Sequence, residues 1–223
     1  MDVNDSEVTL SQKLQILTAE HSSLVAARAL AWSEAFSRTT MFLAVLSGSV
    51  MAIALVAQAS AFGDAFALFA LVLLPMVLFL GVATFFRLSA ANYHDGVCVA
   101  GMNRIRHAYL EAAPDLKPHL VMGAHDDREG MLATMAMPPG MSGFQQFVSA
   151  TPNIVTVINS IVAGVIAGVA VARFNSDTLA VGLAGLIGFG LTLFLHLRSA
   201  FKAITKQIGS FETRFPGGPL PKA

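Results

Sequence analysis

Charge is what this sequence has least of. Of 223 residues, 13% are Asp, Glu, Lys or Arg, with 14 of each sign. A soluble domain carries about 25%. So few charges cannot coat a water-facing surface, which excludes an ordinary soluble enzyme of this size. The formal net charge is +0, so there is no basic excess to neutralise a phosphate backbone, and no nucleic-acid partner is expected. Cysteine is nearly absent as well. Cys98 stands alone, so no disulfide forms within the chain and no cysteine-based metal site is available. The chain lacks HExxH, GxSxG, Walker A and GxGxxG patterns. The glycine pair Gly96 and Gly101 lacks the Lys-Ser/Thr that a phosphate loop requires. No nucleophile stands beside a placed base. Enzymatic activity is not expected.

What the chain has in quantity is apolar sequence, 55% of all residues. Its longest runs are free of Asp, Glu, Lys and Arg. They predict four membrane-spanning helices at 40–62, 65–86, 153–172 and 178–197. Each is about 20 residues or more, enough to cross roughly 30 Å of hydrocarbon. Lipid offers the backbone no hydrogen bonds, so these segments must be helical. The first run competes with a signal peptide, and Ala57-Gln58-Ala59 resembles a cleavage site. However, about 39 residues precede it with no compact basic region, so an uncleaved span is expected.

The cations set the orientation. Lys13, Arg28 and Arg38 precede the first span. Arg87, Arg104, Arg106, Lys117 and Arg128 lie between the second and third. Arg198, Lys202, Lys206, Arg214 and Lys222 follow the fourth. Only Arg173 falls on the other side. The positive-inside tendency then places both termini and the middle segment in the cytoplasm of a cell whose inner (plasma) membrane the chain crosses. Only tight turns near Phe62–Asp64 and Arg173–Asp177 remain outside.

The cytoplasmic stretches carry their own patterns. Thr9 and Gln12 have capping-box spacing. Leu10, Leu17, Leu24 and Ala31 recur every seven residues, with Leu14, His21, Arg28 and Ala35 between them, a heptad-like seam. Packing on the same chain is the expected use of this seam, with helix association between subunits as the sharper alternative. Trp32 and Phe36 suit the headgroup level. After the fourth span, Leu197, Phe201, Ile204, Ile208, Phe211 and Phe215 form an apolar stripe. Residues 178–215, if one helix, reach about 57 Å, so this helix should project inward. It would pack against the N-terminal helix or lie on anionic lipid, with Lys202 and Lys206 as lipid contacts. Pro216-Gly217-Gly218-Pro219 then ends regular structure, and a loose tail is expected.

The middle segment reads as a helical extension of the second span up to Pro114, then as mostly irregular chain. Pro114, Pro118, Pro138 and Pro139 and Gly123, Gly130, Gly140 and Gly143 punctuate it. Gly143–Val148, with Phe144 and Phe147, would lie at the interface. His94, His107, His119 and His125 fall here with Asp95, Asp126, Asp127 and Glu129. A metal site is weighed and not expected, because no matched ligand pair occurs at helical spacing. His125-Asp126-Asp127-Arg128-Glu129 reads as a solvated charge run.

The span interiors read as free of acids and bases, which argues against proton-coupled transport but not against a pore with a neutral lining. The third span carries the candidate lining. Thr156, Ser160 and Ala163 share a face, with Asn159 beside them, and Gly164 and Gly168 form a small-residue pair next to it. In the fourth span Gly182, Gly185 and Gly188 form a flat stripe suited to close helix packing. Tight packing of the third and fourth spans is the bland use of these residues and pore lining the sharp one. Ser47, Met51, Ala54 and Gln58 make a weaker stripe in the first span.

The expected architecture is therefore an all-α membrane protein. Four transmembrane helices form two hairpins, 40–86 and 153–197. Amphipathic cytoplasmic extensions lie at 1–39 and 198–223, and a linker occupies 87–152. The leading functional expectation is a homo-oligomeric channel with neutral lining. The alternative is a membrane-anchored scaffold or signalling component that docks a cytosolic partner. A membrane enzyme using the histidine-rich linker ranks last, and no cofactor is expected.

Overall fold

The computed structural model describes residues 8–135, 142, 145, 151–210 and 212–217, without the side chains of 204–210. The described residues are helical or irregular, with no strand among them. The helices are α1 (Leu10–Ala59), α2 (Asp64–Ala112), α3 (Arg128–Thr134), α4 (Thr151–Ala172) and α5 (Thr178–Ser210), with a 3₁₀ turn at Pro114–His119. Four of them, α1, α2, α4 and α5, are long and apolar enough to cross a membrane.

Local chemistry sets the helix ends. The Thr9 amide donates to Gln12 Oε1 at 2.9 Å and the Gln12 amide donates to Thr9 Oγ1 at 3.3 Å, a reciprocal capping box. From there α1 runs 50 residues without a break. Its end turns back through Ala61 and Phe62, which take left-handed φ values of 47° and 59°, with the Phe62 amide on Ala57 O at 3.0 Å. Pro75 lies inside α2 and withholds one backbone donor there. Asp127 caps α3 by accepting from the Gly130 amide at 2.8 Å, and Asp177 caps α5 by accepting from the Leu179 amide at 3.1 Å.

The chain divides into two compact units, and α1 and α2 each contribute to both. The unit of Ser33–Ala91 and Ser142–Ser210 holds the most apolar helix stretches. Ala70, Leu74 and Val162 form its core, packed by Leu46, Ile53, Leu78, Ile166 and Val169. An ion pair of Arg173 with Asp64 ties its two interhelical turns together. Glu34 pairs with both Arg38 and Arg87 in the same unit.

The second unit combines Met1–Trp32, Asn92–Met141 and Phe211–Ala223. Here the α1 seam packs on α2 of the same chain. Leu14, Leu17, His21, Leu24, Arg28 and Ala31 are all partly buried. Leu24 fills the space that a side chain at Gly101 would need, at 2.9 Å. Thr18 bonds Tyr109 at 3.2 Å, and Arg28 and Trp32 both bond Asp95. Low numbers on α1 meet high numbers on α2, so the two stretches are antiparallel. Phe144, Phe147 and Phe211 lie outside the described residues, as do the side chains of Ile204, Lys206 and Ile208.

Candidate functional site

The polar face of α4 is closed inside the apolar unit. Thr156 is 1% exposed, and Asn159 and Ser160 are 0%. The two hydroxyls donate to carbonyls one turn back, Thr156 to Pro152 O at 3.0 Å and Ser160 to Thr156 O at 2.8 Å. Asn159 has a different partner. Its Nδ2 lies 3.3 Å from His196 Nε2, and His196 Nδ1 lies 2.9 Å from Thr192 O. A carbonyl only accepts, so Nδ1 carries the proton. The Asn159 amide nitrogen only donates, so Nε2 is its acceptor. Phe85 meets the His196 ring edge to face, with centroids 4.6 Å apart. Asn159 Oδ1 is buried with no hydrogen-bond partner and points at Gly81, where a Cβ would collide with it.

His196 is a base that the expectation of acid- and base-free span interiors does not cover. It lies one residue from the end of the predicted fourth span and is 8% exposed. At that position, two residues before Arg198, it resembles an interfacial residue in the sequence. Only the packing of α4 and α2 shows that it faces inward.

The small residues divide by where they lie. A Cβ at Gly164 would meet Gly185 O at 2.8 Å. One at Gly188 would meet Ala167 Cβ at 2.9 Å and Ala163 O at 3.0 Å. Gly164, Ala163, Gly185 and Gly188 therefore lie at the α4–α5 contact, while Gly168 has ordinary neighbours at 3.7 Å from Val181 O. Gly182 has nothing within 4 Å and lies off the contact. Steps of three residues turn a helix by about 300°, so the stripe drifts round the helix and only part of it can face one neighbour. Ser47, Met51, Ala54 and Gln58 of α1 are exposed.

The second unit is built around polar groups that no sequence pattern marks. Asn103 is 0% exposed. Its Nδ2 donates to His125 O at 2.7 Å and Gly130 O at 3.1 Å. Its Oδ1 accepts from Arg106 Nη1 and Thr134 Oγ1, each at 2.8 Å. All four bonding positions of the carboxamide are used, which is what a buried amide requires. This one side chain fixes the loop before α3 onto α2.

Asp126 is the exception to the reading of 125–129 as a solvated run, in which His125, Arg128 and Glu129 are exposed. It is 0% exposed. Its carboxylate accepts from Arg104 Nε at 2.7 Å, from the Arg214 amide at 3.0 Å and from the Phe215 amide at 2.8 Å. Burial by itself would raise this acid. The three donors and the Arg104 charge outweigh that and hold it below the usual carboxyl range. Asp127 Oδ2 accepts from the Gly217 amide at 2.7 Å. The stretch 212–217 is therefore non-helical and docked, whereas 212–215, with Phe215 of the apolar stripe, is expected as the end of the last helix and 216–217 as the start of a loose tail. Among the described residues, no group of three or more His, Cys, Asp or Glu side chains converges in a way that could hold a metal.

No family model, curated protein or solved structure matches this chain.

Proposed function

We propose that this chain is a multi-pass protein of the inner (plasma) membrane that docks a cytosolic partner, a scaffold or signalling component. In this reading α1 with α2, and α4 with α5, cross as two hairpins. The termini and the 87–152 segment lie in the cytoplasm, where 13 of the 14 basic residues fall. Exposed Lys202, with Lys206, contacts anionic lipid.

The observation that carries the docking role is the unit of Met1–Trp32, Asn92–Met141 and Phe211–Ala223. Two stretches distant in sequence are drawn together around Asn103 and Asp126, both fully buried and bonded, and a third packs on α2 through Thr18, Leu24 and Arg28. Anchoring alone needs no such body. The closed polar face of α4 supports the same reading, since Thr156, Asn159 and Ser160 are turned to protein within one chain.

A second reading, the homo-oligomeric channel, is favoured by the exposed α1 face of Ser47, Met51, Ala54 and Gln58. Gly48 beside it has nothing within 4 Å. A glutamine near lipid is better satisfied by a neighbouring protein surface. Reconstitution into liposomes separates the two readings. The docking reading expects ion flux no greater than that of empty vesicles. Flux abolished by Gln58→Leu would overturn it in favour of the channel.

A further inference from the structure

The stretch Glu212–Gly217 is not helical, and among the described residues the hydrogen bonds that hold it are made to its backbone. Arg104 Nη2 donates to Glu212 O at 2.6 Å. The Arg214 and Phe215 amides donate to Asp126, and the Asp126 amide donates to Phe215 O at 3.3 Å. The Gly217 amide donates to Asp127. Among the described residues, side-chain identity enters at two places. The Phe215 ring stacks on His107, with centroids 4.3 Å apart and planes 27° apart. At Gly217 a Cβ would come within 3.1 Å of the His125 ring.

Such a pattern is how a peptide-recognition site works. Main-chain bonds supply affinity and a few pockets supply selectivity.

We propose that the groove formed by Arg104, His107, His125, Asp126 and Asp127 is a peptide-docking site, and that the chain's own tail occupies it as an exchangeable, autoinhibitory ligand. The partner it takes is a non-helical protein segment with an aromatic residue followed two positions later by glycine, spaced as Phe215 and Gly217 are. Two successive backbone N–H groups of that segment, at the aromatic and the residue before it, must be free to meet the Asp126 carboxylate. This deepens the docking reading above and rests on it. A groove that binds no peptide removes the exchangeable tail alone, whereas flux in liposomes removes the docking reading itself.

Tethering presents the tail at an effective concentration on the order of millimolar. A free peptide therefore competes poorly with it in the native chain. Phe215→Ala weakens the tethered ligand and leaves every groove residue in place. The test uses the full chain in nanodiscs and a labelled peptide with the sequence of residues 210–219. The Phe215→Ala chain is expected to bind this peptide at least tenfold more tightly than the native chain does. The same peptide with alanine at the phenylalanine position should lose at least tenfold, and Asp126→Asn added to Phe215→Ala should lose binding. A Phe215→Ala chain with native helical content and melting temperature that binds no peptide would overturn the proposal.

A second measurement needs no variant. Amide hydrogen exchange at Arg214, Phe215 and Gly217 in the native chain should be at least tenfold faster than at Asn103–His107. Exchange at the same rate as α2, only on global unfolding, would make the tail a fixed part of the core and contradict exchange.

Discussion

Asp126 and Asn159 are both fully buried polar side chains, but their situations differ. Asp126 has more donors than burial alone can offset, and its acid is held low. A carboxyl with a depressed folded value stabilises the fold above its unfolded value, near pH 4, and loses that contribution as the pH falls through the folded value. Protection of the Arg214 and Phe215 amides from hydrogen exchange should therefore be steady near neutral pH and fall in acid. Asp126→Ala takes the acceptor from the Arg214 and Phe215 amides and from Arg104 Nε and should cost about 1–3 kcal/mol, read from denaturant unfolding in detergent. Native stability in that variant would contradict the role given to Asp126. Asn159, in contrast, keeps one acceptor unused beside Gly81. Gly81→Ala should destabilise by about 1–3 kcal/mol through overpacking. Combined with Asn159→Ala it should cost less than the sum, since the second change removes the atom that the new methyl meets. Strict additivity would show that the two positions do not touch.

Along the helices, glycine separates close contact from open surface. Gly164 and Gly188 admit no Cβ without displacing α4 or α5 backbone, whereas Gly182 is open. Gly164→Ala should lower the melting temperature measurably. Gly182→Ala should leave it unchanged or raise it, since alanine favours a helix by about 0.5–1 kcal/mol over glycine. Equal effects at both positions would contradict the α4–α5 contact. The four apolar helices were legible in the sequence because an uncharged run of span length is rare in a chain folded in water. The seam of Leu14, His21, Leu24 and Arg28 was legible as a face, although its partner on α2 was not. Asn159 drew attention as an amide among apolar neighbours. His196 did not, because a histidine at a span's end resembles an interfacial one. The docking of the tail was illegible for a different reason. Asp126 sits in a charge run, and its partners are the main-chain N–H groups of Arg214 and Phe215, which every residue but proline carries. Asn103 was missed likewise, since three of its four partners are backbone carbonyls or a hydroxyl distant in sequence.

The chain as a unit separates two solvents. One body is packed with Ala70, Leu74 and Val162 and carries outward Leu179, Leu183, Leu186 and Ile187. The other buries Asn103, Arg106 and Asp126. Lipid suits the first surface, while the second contains the charge that a bilayer would reject. This division, and the proposed orientation of the polar body toward the inner side, can be read directly from chemical labelling. Val121 is 99% exposed in one unit and Phe174 is 92% exposed in the other. Cys98 is 1% exposed, and Cys98→Ser removes it as background. In that background, Val121→Cys should react with a membrane-impermeant maleimide only in inverted vesicles. Phe174→Cys should react only in right-side-out vesicles or intact cells. Labelling of both from the same side, or of Val121→Cys from outside, would contradict the account.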